Sequence, residues 1–522
     1  MFFVFCTQSL QAQKLLPVQH HKFKQAKRVF DALNLAFQNG MSQPSLEIVD
    51  SKKLVIKYLN QPSPVVRLSE AVYDVCVGVG ADSASALAVL LSHELAHHYE
   101  KHQFYGSYGS ESATVQDWQK AAYCESDADL KGCFYSFLSG YDAYRVFETT
   151  LNALYKHFAL PDKLNGYSSR QERIEALKKQ NTELQNQAIS FTAGQYLYAA
   201  QDFSAALACF EHLQAFPCAE VLSNLGASAL QSAILLTTPS EVPFVMPVEL
   251  QIKNRFLLKR GTNNNKKGYL LKAINALERL NRIKPNDKSA CLNLVTAYIL
   301  DARLDLALGK IEDFAQQNKK LDGDFYTLKA IVFFLKKDLD TAEDNFIKAQ
   351  SRAAYSSHLN AKIFQKYNRN AFSDFIDWLS DWFEENSKDV DNQNVVFPKT
   401  LSQQATPPKQ TLLFTKISEK PYVKILYNAD WLAKGVLVIQ TERTDYTLLI
   451  DKTLQSAASA QYLRMGSTKA EITQHCGALY KAMDTAHGSM WSYQDGVLVC
   501  FFNDKNRLTA WFIGSKKPRR TP

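Results

Sequence analysis

Between residues 188 and 384, a small residue is repeatedly followed, four positions later, by a large apolar residue. The pattern occurs as Ala206/Phe210, Ala273/Leu277, Ala307/Ile311 and Ala342/Phe346. The small residues are 67, 34 and 35 positions apart, and 67 is nearly two periods of 34. Residues four apart share a helix face, so this pattern is typical of paired helices that cross closely and repeat along the chain.

The period resembles that of tetratricopeptide repeats, and Pro217 and Pro285 fall where such a repeat usually ends. We expect one further copy between them, interrupted by residues 237–267 with their prolines and the polar stretch GTNNNKK. The resemblance implies an α-solenoid over residues 188–384, with a concave groove for a peptide or protein partner. A generic helical bundle is the alternative, and the regular spacing disfavours it.

The chain of 522 residues is too long for one hydrophobic core, and its other regions differ in pattern. Residues 13–185 mix short strands with helices and hold nearly all candidate catalytic residues, whereas residues 385–411 have the composition of a linker. Residues 412–522 alternate strand-like runs with one helix near residues 468–475. The expected fold class is mainly α, with a small β element in the first domain and a small α+β domain at the end.

The C-terminal stretches GSTKAEITQHCG and WSYQDGVLVCFFNDKNRLTAWF are similar to the small α+β fold of the SmpA/OmlA lipoproteins. No cluster of metal ligands or nucleophiles stands out there.

Residues 1–12 (MFFVFCTQSLQA) resemble the back half of a secretory signal peptide with cleavage after Ala12, and they predict an exported, periplasmic protein. A buried or frayed N-terminal segment is the alternative. No later run approaches the roughly 18 apolar residues of a membrane-spanning helix, so none is expected in the mature chain. The basic cluster at residues 20–28 and the net charge of +8 indicate a solvated surface rather than a nucleic-acid site. The nine cysteines form no CxxC motif.

The run ASALAVLLSHELAHHYEKH contains the motif HExxH, formed by His93, Glu94 and His97. It has no Gly or Pro, and Asp82 or Ser83 is expected to begin its helix. On a helix, His93 and His97 can direct imidazole nitrogens at one metal ion. A bound zinc ion lowers the pKa of water toward neutrality, and Glu94 can accept that proton and pass it to a leaving amine. A degenerate, metal-free helix is the alternative.

A catalytic zinc ion needs three protein ligands and one open position, and the stretch ESDADLKG offers the third ligand. Glu125 and Asp129 are four apart and share a helix face, so Glu125 can ligate while Asp129 hydrogen-bonds a histidine. The alternative is a solvated acidic face, for which Asp127 is a candidate. We favour the ligand because Tyr123, Phe134 and Phe137 indicate a packed helix.

The motifs HELAHH and ESDADLKG, followed by SGYD, resemble the HExxH gluzincin metallopeptidases of the CAAX prenyl protease/HtpX family. The resemblance implies one zinc ion per chain, held by His93, His97 and Glu125. It also implies that Asp129 and Arg173, the latter in SSRQERIEAL, support these ligands without binding the zinc ion. Many relatives carry a His-Pro pair before this arginine, whereas here Tyr167 and Ser168 occupy that place. The combination with tetratricopeptide repeats resembles the soluble periplasmic members of this family.

Two histidines and four tyrosines near the motif have less definite roles. His98 and His102 are expected to be surface or packing residues. The tyrosine that steadies an oxyanion is left open among four candidates: Tyr123, Tyr135, Tyr141 and Tyr167.

Two classes of function follow. The leading hypothesis is a zinc-dependent endopeptidase for exported or envelope proteins, with polypeptide substrates and a repeat domain that docks a substrate or partner. The alternative is a repeat-based scaffold or chaperone with a vestigial or latent protease site. A purely structural zinc ion fits poorly, because structural sites usually have four protein ligands.

Overall fold

The computed structural model describes most of the chain up to residue 367 and parts of the C-terminal region. The described ranges are 14–60, 63–102, 115–162, 169–248, 265–318, 321–352, 355–367, 410–413, 422–427, 434–441, 444–451, 459–460, 463–476, 481–485, 488–493, 498–503 and 505–516. The predicted signal peptide and most of the predicted linker lie outside these ranges. The protein is mainly helical with a sheet near its C-terminus, which confirms the predicted fold class.

The chain forms two compact units, Met1–Ile189 with Phe216–Glu220, and Ser190–Ala215 with Val221–Pro522. The first unit contains α1 (His21–Phe37), β1 (Ser45–Val49), β2 (Ile56–Leu59), β3 (Val65–Ser69), α2 (Glu70–Val77), α3 (Ser83–Tyr99), α4 (Val115–Leu138), α5 (Ala143–His157) and most of α6 (Arg170–Ala199). Its strands have the order β1-β3-β2, with β1 parallel and β2 antiparallel to β3. Strand β2 is therefore an edge strand of this small sheet.

Helix α3 is the centre of the first unit, because every residue from Ala86 to Tyr99 is buried. It packs against helices α1, α2, α4 and α5 and against strand β2. Residues 86–91 of this helix are apolar on all sides, as expected for a helix inside a core. The helix begins at Ser83, yet the Asp82 carboxylate makes no cap and instead accepts hydrogen bonds from Arg145.

Helix α6 runs without interruption through the predicted domain boundary near residues 185–188, where the sequence has neither Gly nor Pro. The helices that follow belong wholly or almost wholly to the second unit. They are α7 (Phe203–Glu211), α8 (Ala219–Ile234), α9 (Lys266–Ile283), α10 (Lys288–Leu300), α11 (Leu304–Gln317), α12 (Gly323–Leu335), α13 (Leu339–Gln350) and α14 (Tyr355–Tyr367).

The four repeated alanines are fully buried and lie on α7, α9, α11 and α13, which are the second helices of successive pairs. The first helices are the end of α6, then α8, α10 and α12. Glycines mark the close crossings in two pairs, since a Cβ at Gly194 would meet the Phe210 ring and one at Gly226 would meet Leu277.

The expectation of a further repeat between Pro217 and Pro285 was wrong for the residues that the structure describes. Helices α8 and α9 form one pair whose two helices are separated by an insertion, so the spacing of 67 is one period plus that insertion. The insertion is nearly as long as one repeat, which explains why the periodicity was misleading.

The C-terminal region adds β4 (Gln410–Leu413), β5 (Val423–Tyr427), β6 (Lys434–Thr441), β7 (Thr444–Asp451), β8 (Ser459–Ala460), β9 (Leu463–Arg464), α15 (Lys469–Cys476), β10 (Lys481–Thr485), β11 (Gly488–Tyr493), β12 (Leu498–Phe502) and β13 (Leu508–Lys516). The main sheet is antiparallel with the order β10-β11-β12-β13-β7-β6-β5-β4. Ile472 and Cys476 of α15 pack in one core with Tyr493 and Trp511 of the sheet. In the described ranges, no helix is both long and apolar enough to cross a bilayer.

Candidate metal centre

Three buried side chains from two helices converge in the first unit. Helix α3 supplies His93 and His97, whose Nε2 atoms are 3.0 Å apart. Helix α4 supplies Glu125, whose Oε2 lies 3.3 Å from Nε2 of His93 and whose Oε1 lies 3.6 Å from Nε2 of His97. The possible ligand atoms of all three residues lie within 4.8 Å of one another.

These separations fit a shared metal ion. Ligands about 2.0–2.2 Å from a tetrahedral zinc ion are about 3.3–3.5 Å from each other. Two imidazoles and one carboxylate form a ligand set that divalent transition metals accept. The residues therefore form a buried group that can hold a metal ion.

The charges of the group favour an ionised Glu125 beside a neutral His97. Burial lowers the pKa of His93, but the carboxylates of Asp129 and Glu125 outweigh burial and raise that pKa. Burial lowers the pKa of His97 well below its usual value. Burial alone raises the pKa of Glu125, but the adjacent His93 and His97 lower that pKa to well below its usual value. An ionised carboxylate and a neutral imidazole are the protonation states that ligate metals.

Asp129 and Arg173 orient His93. The His93 Nδ1 lies 2.8 Å from Oδ1 of Asp129, and Arg173 donates to both Asp129 oxygens, at 2.7 and 3.1 Å. Burial raises the pKa of Asp129, but the charges of Arg173 and His93 outweigh it and leave that pKa at about 2. The ionised Asp129 accepts the Nδ1 proton in either state of His93, and when His93 is neutral its Nε2 lone pair is left for the metal ion.

His102 and Asp127 orient His97, as Asp129 and Arg173 orient His93. The Nδ1 atoms of His97 and His102 are 3.0 Å apart, and Nε2 of His102 lies 3.1 Å from Oδ2 of Asp127. If His102 donates to Asp127, its Nδ1 accepts from His97, and His97 Nε2 presents a lone pair. The side chains of Asp127 and His102 are only 12% and 8% exposed, so Asp127 does not belong to a solvated acidic face and His102 is a packing residue, one of the two roles expected for it.

The end of helix α3 brings His102 back onto His97. The His102 N–H donates to the carbonyl of His97, and the Lys101 N–H donates to that of His98. Lys101 adopts a left-handed conformation with φ of 55°. This is a Schellman motif, and it reverses the chain just past the HExxH helix. It is the feature that sequence periodicity misses, because it lies beyond the last helical turn.

The position of Arg173 follows from the start of helix α6. Ser169 and Glu172 form a reciprocal capping box, in which Glu172 N–H donates to Ser169 Oγ at 3.1 Å and Ser169 N–H donates to Glu172 Oε2 at 2.6 Å. Arg173 comes next in the first turn and is therefore held in register with Asp129.

Gly132 allows helices α3 and α4 to approach closely. A Cβ at this position would lie 2.9 Å from Oγ of Ser92 and 3.2 Å from the backbone nitrogen of His93. The absence of a side chain thus brings the helix that carries Glu125 and Asp129 against the HExxH helix.

Glu94 is buried, lines the same pocket as His93 and lies at the outer edge of strand β2. Its Oε2 accepts a hydrogen bond of 2.6 Å from the backbone N–H of Tyr58. The adjoining pocket is lined by Ile56, Val89, Leu90, His93, Glu94, Asp129, Leu151 and Arg173. A carboxylate thus lies in one pocket with the candidate ligand His93, and this pocket has an apolar wall.

The tyrosine candidates fall in different surroundings. Tyr123 is 68% exposed, so it does not mark helix α4 as packed, although Phe134 of that helix is 1% exposed. Tyr135 is buried against Phe37, Tyr141 is half-buried, and Tyr167 lies outside the described residues.

His98 is a packing residue, as expected. It is buried, and its ring nitrogens contact the Tyr58 hydroxyl and the carbonyl of Ser42.

No protein-family model matches the chain, and no curated protein matches it. Among solved structures, it is similar to a thermophilic TPR protein of Thermus thermophilus. The sequence identity is 20% and the TM-score 0.20, over 34% of this chain and 96% of that one. This TM-score is too low to support the assignment of helix pairs, which is based instead on the contacts between the helices themselves.

Proposed function

We propose that the chain is a zinc-dependent endopeptidase. The convergence of His93, His97 and Glu125, with Glu94 in the same pocket as His93, carries this proposal. Three protein ligands leave an open position, which is the arrangement of catalytic rather than structural zinc. The resemblance of HELAHH and ESDADLKG to the gluzincin metallopeptidases supports the same assignment.

His93, His97 and Glu125 would hold the zinc ion. When bound, zinc acts as a Lewis acid that polarises a carbonyl and lowers the pKa of water. Glu94 takes a proton from the attacking water as the water oxygen bonds to the peptide carbonyl carbon. It then gives the proton to the amine as the C–N bond breaks.

The other residues of the site act as positioning residues. Asp129 keeps the Nδ1 proton on His93, and Arg173 keeps Asp129 ionised. His102 and Asp127 hold His97 in the corresponding tautomer. Strand β2 is an edge next to Glu94, and an extended polypeptide substrate can pair with the part of this edge beyond the Tyr58 N–H, which is bonded to Glu94.

We further propose that the substrates are exported or envelope proteins in the periplasm. The apolar run of residues 1–12 supports this location, as does the similarity to soluble periplasmic peptidases. The helix pairs offer a second surface on which a substrate or partner protein can dock.

The deciding experiment combines zinc content with cleavage of unfolded casein. Wild-type protein is expected to bind about one zinc ion per chain and to cleave casein. His93→Ala should lose both properties, whereas Glu94→Gln should keep zinc and lose cleavage. Full cleavage by Glu94→Gln would refute the proposed role of Glu94, and a wild-type protein without zinc would refute the peptidase.

A repeat-based scaffold or chaperone is the second candidate function. The successive helix pairs between α6 and α13 favour it, because stacked pairs form extended binding surfaces. In this case the wild type would not cleave casein, and Glu94→Gln would suppress aggregation of an unfolded protein as well as the wild type does. If Glu94→Gln lost both casein cleavage and the suppression of aggregation, the result would count against a scaffold.

A further inference from the structure

Part of the insertion between α8 and α9 lies buried among the helix pairs of the second unit. All seven residues of Val242–Val248, with the sequence VPFVMPV, are buried although they form neither helix nor strand. We call this stretch the inserted segment. The pairs α10–α11 and α12–α13 have only short connections, so a helix pair of this array does not require such a segment.

One aromatic side chain anchors the inserted segment. The Phe244 ring lies 4.9 Å from that of Phe334 on α12 and 5.3 Å from that of Phe346 on α13, measured between centroids. Phe244 is 1% exposed. Its edge-to-face contact with Phe334 is a geometry that aromatic pairs prefer.

The backbone of the inserted segment is held by side chains of other helices. Asn360 of α14 accepts from the Val245 N–H at 2.8 Å and donates to the Val245 carbonyl at 2.7 Å. Thr296 of α10 donates to the Pro247 carbonyl at 3.1 Å. Asn360 and Thr296 are both fully buried.

These contacts are those of a bound peptide. A side-chain amide that pairs with both backbone groups of one residue recognises an extended chain without regard to its side chain. Phe334 and Phe346 pack against the ring of Phe244, and Pro247 has no N–H to leave unpaired. The inserted segment contacts α10, α12, α13 and α14, so the expected groove already has an occupant from the same chain.

We propose that the surface formed by α10, α12, α13 and α14 is a binding site for an extended apolar peptide. The peptide carries an aromatic residue three positions before a proline, as in Phe244 to Pro247, and the inserted segment is its internal competitor. A partner peptide of this pattern displaces the inserted segment from Asn360 and Thr296. This inference does not depend on the proposed peptidase activity.

The test uses the full-length protein and a fluorescent peptide of residues 240–248 (SEVPFVMPV). Phe244→Ala removes the anchor of the competitor, so this variant is expected to bind the peptide about tenfold more tightly than wild type. Adding Asn360→Ala should reverse the gain by about tenfold, because two buried hydrogen bonds are lost. A peptide with Ala in place of its Phe is the matched control and should not bind.

Circular dichroism establishes that each variant is folded. A folded Phe244→Ala protein that binds no better than wild type would overturn the proposal. So would binding that Asn360→Ala leaves unchanged. Dimerisation of Phe244→Ala without peptide binding would assign the site to a second copy of the chain instead.

Hydrogen exchange in the wild-type protein tests the proposal even if the Phe244→Ala variant does not fold. Excess peptide should accelerate exchange of the Val245 amide, because that amide leaves Asn360 when the inserted segment is displaced. Unchanged exchange at the highest soluble peptide concentration would overturn the proposal.

Discussion

The Nδ1 atom of His102 lies 3.0 Å from the Nδ1 atom of His97, whose other nitrogen is 3.0 Å from Nε2 of His93. A chain of hydrogen bonds therefore extends from Asp127 through His102 to a candidate metal ligand. Second partners of this kind set the tautomer and orientation of ligating histidines. The HExxH motif does not include His102, so the motif does not predict this hydrogen bond to His97.

His102→Ala is expected to weaken zinc binding by about 10–100-fold, because His97 loses the partner that holds its Nδ1 proton. Competition with a chromophoric chelator measures the affinity. His157→Ala, at an exposed position in the last turn of α5, is the control and should bind zinc as the wild type does. Wild-type affinity in His102→Ala would show that the hydrogen-bond chain is dispensable.

Asp129→Asn is expected to lower the free energy of unfolding by about 3–5 kcal/mol, because it leaves the buried Arg173 charge without its partner. Urea denaturation measures the loss. The double variant Asp129→Asn/Arg173→Gln removes both charges and should be less destabilised than the sum of the single variants. Strictly additive losses would contradict the coupling of these two residues.

Much of the candidate site could be predicted from helix geometry. The four-residue spacings of His93 with His97 and of Glu125 with Asp129 place each pair on one face of a helix. The contribution of His102 could not be predicted in this way. It depends on the left-handed backbone of Lys101, and a lysine gives no indication of that conformation.

The repeat region shows a different limit. The buried alanines were predicted correctly, because a close helix crossing excludes larger side chains. The insertion before α9 could not be distinguished from a degenerate repeat, since both add about one period to the spacing. The contact of Phe244 with Phe334 joins residues that are distant in the chain, and no periodic pattern predicts it.

Zinc is expected to stabilise the folded protein, because the ligands converge only in the folded state. At a free zinc concentration of about 100 times the dissociation constant, the gain is about 2.7 kcal/mol. Thermal unfolding with zinc and with excess chelator measures it. Glu125→Gln should lose most of the gain, whereas Glu175→Gln at an exposed position on α6 should retain it. An equal gain in Glu125→Gln would exclude Glu125 as a ligand.

Gly132→Ala is expected to destabilise the protein and weaken zinc binding together. The new Cβ would lie 2.9 Å from Ser92 Oγ and 3.2 Å from the His93 backbone nitrogen, so helices α3 and α4 must separate. Such overpacking costs about 1–3 kcal/mol. The same shift moves Glu125 away from His93 and His97.

Gly309→Ala is the matched control for this prediction. Gly309 also lies inside a helix, but a Cβ there meets no atom within 4 Å. Its replacement by alanine should therefore stabilise helix α11 by about 0.5–1 kcal/mol and leave zinc binding unchanged. Urea denaturation and zinc titration of both variants separate the two effects. If Gly132→Ala were as stable as Gly309→Ala, close contact between α3 and α4 would not be what positions the metal ligands.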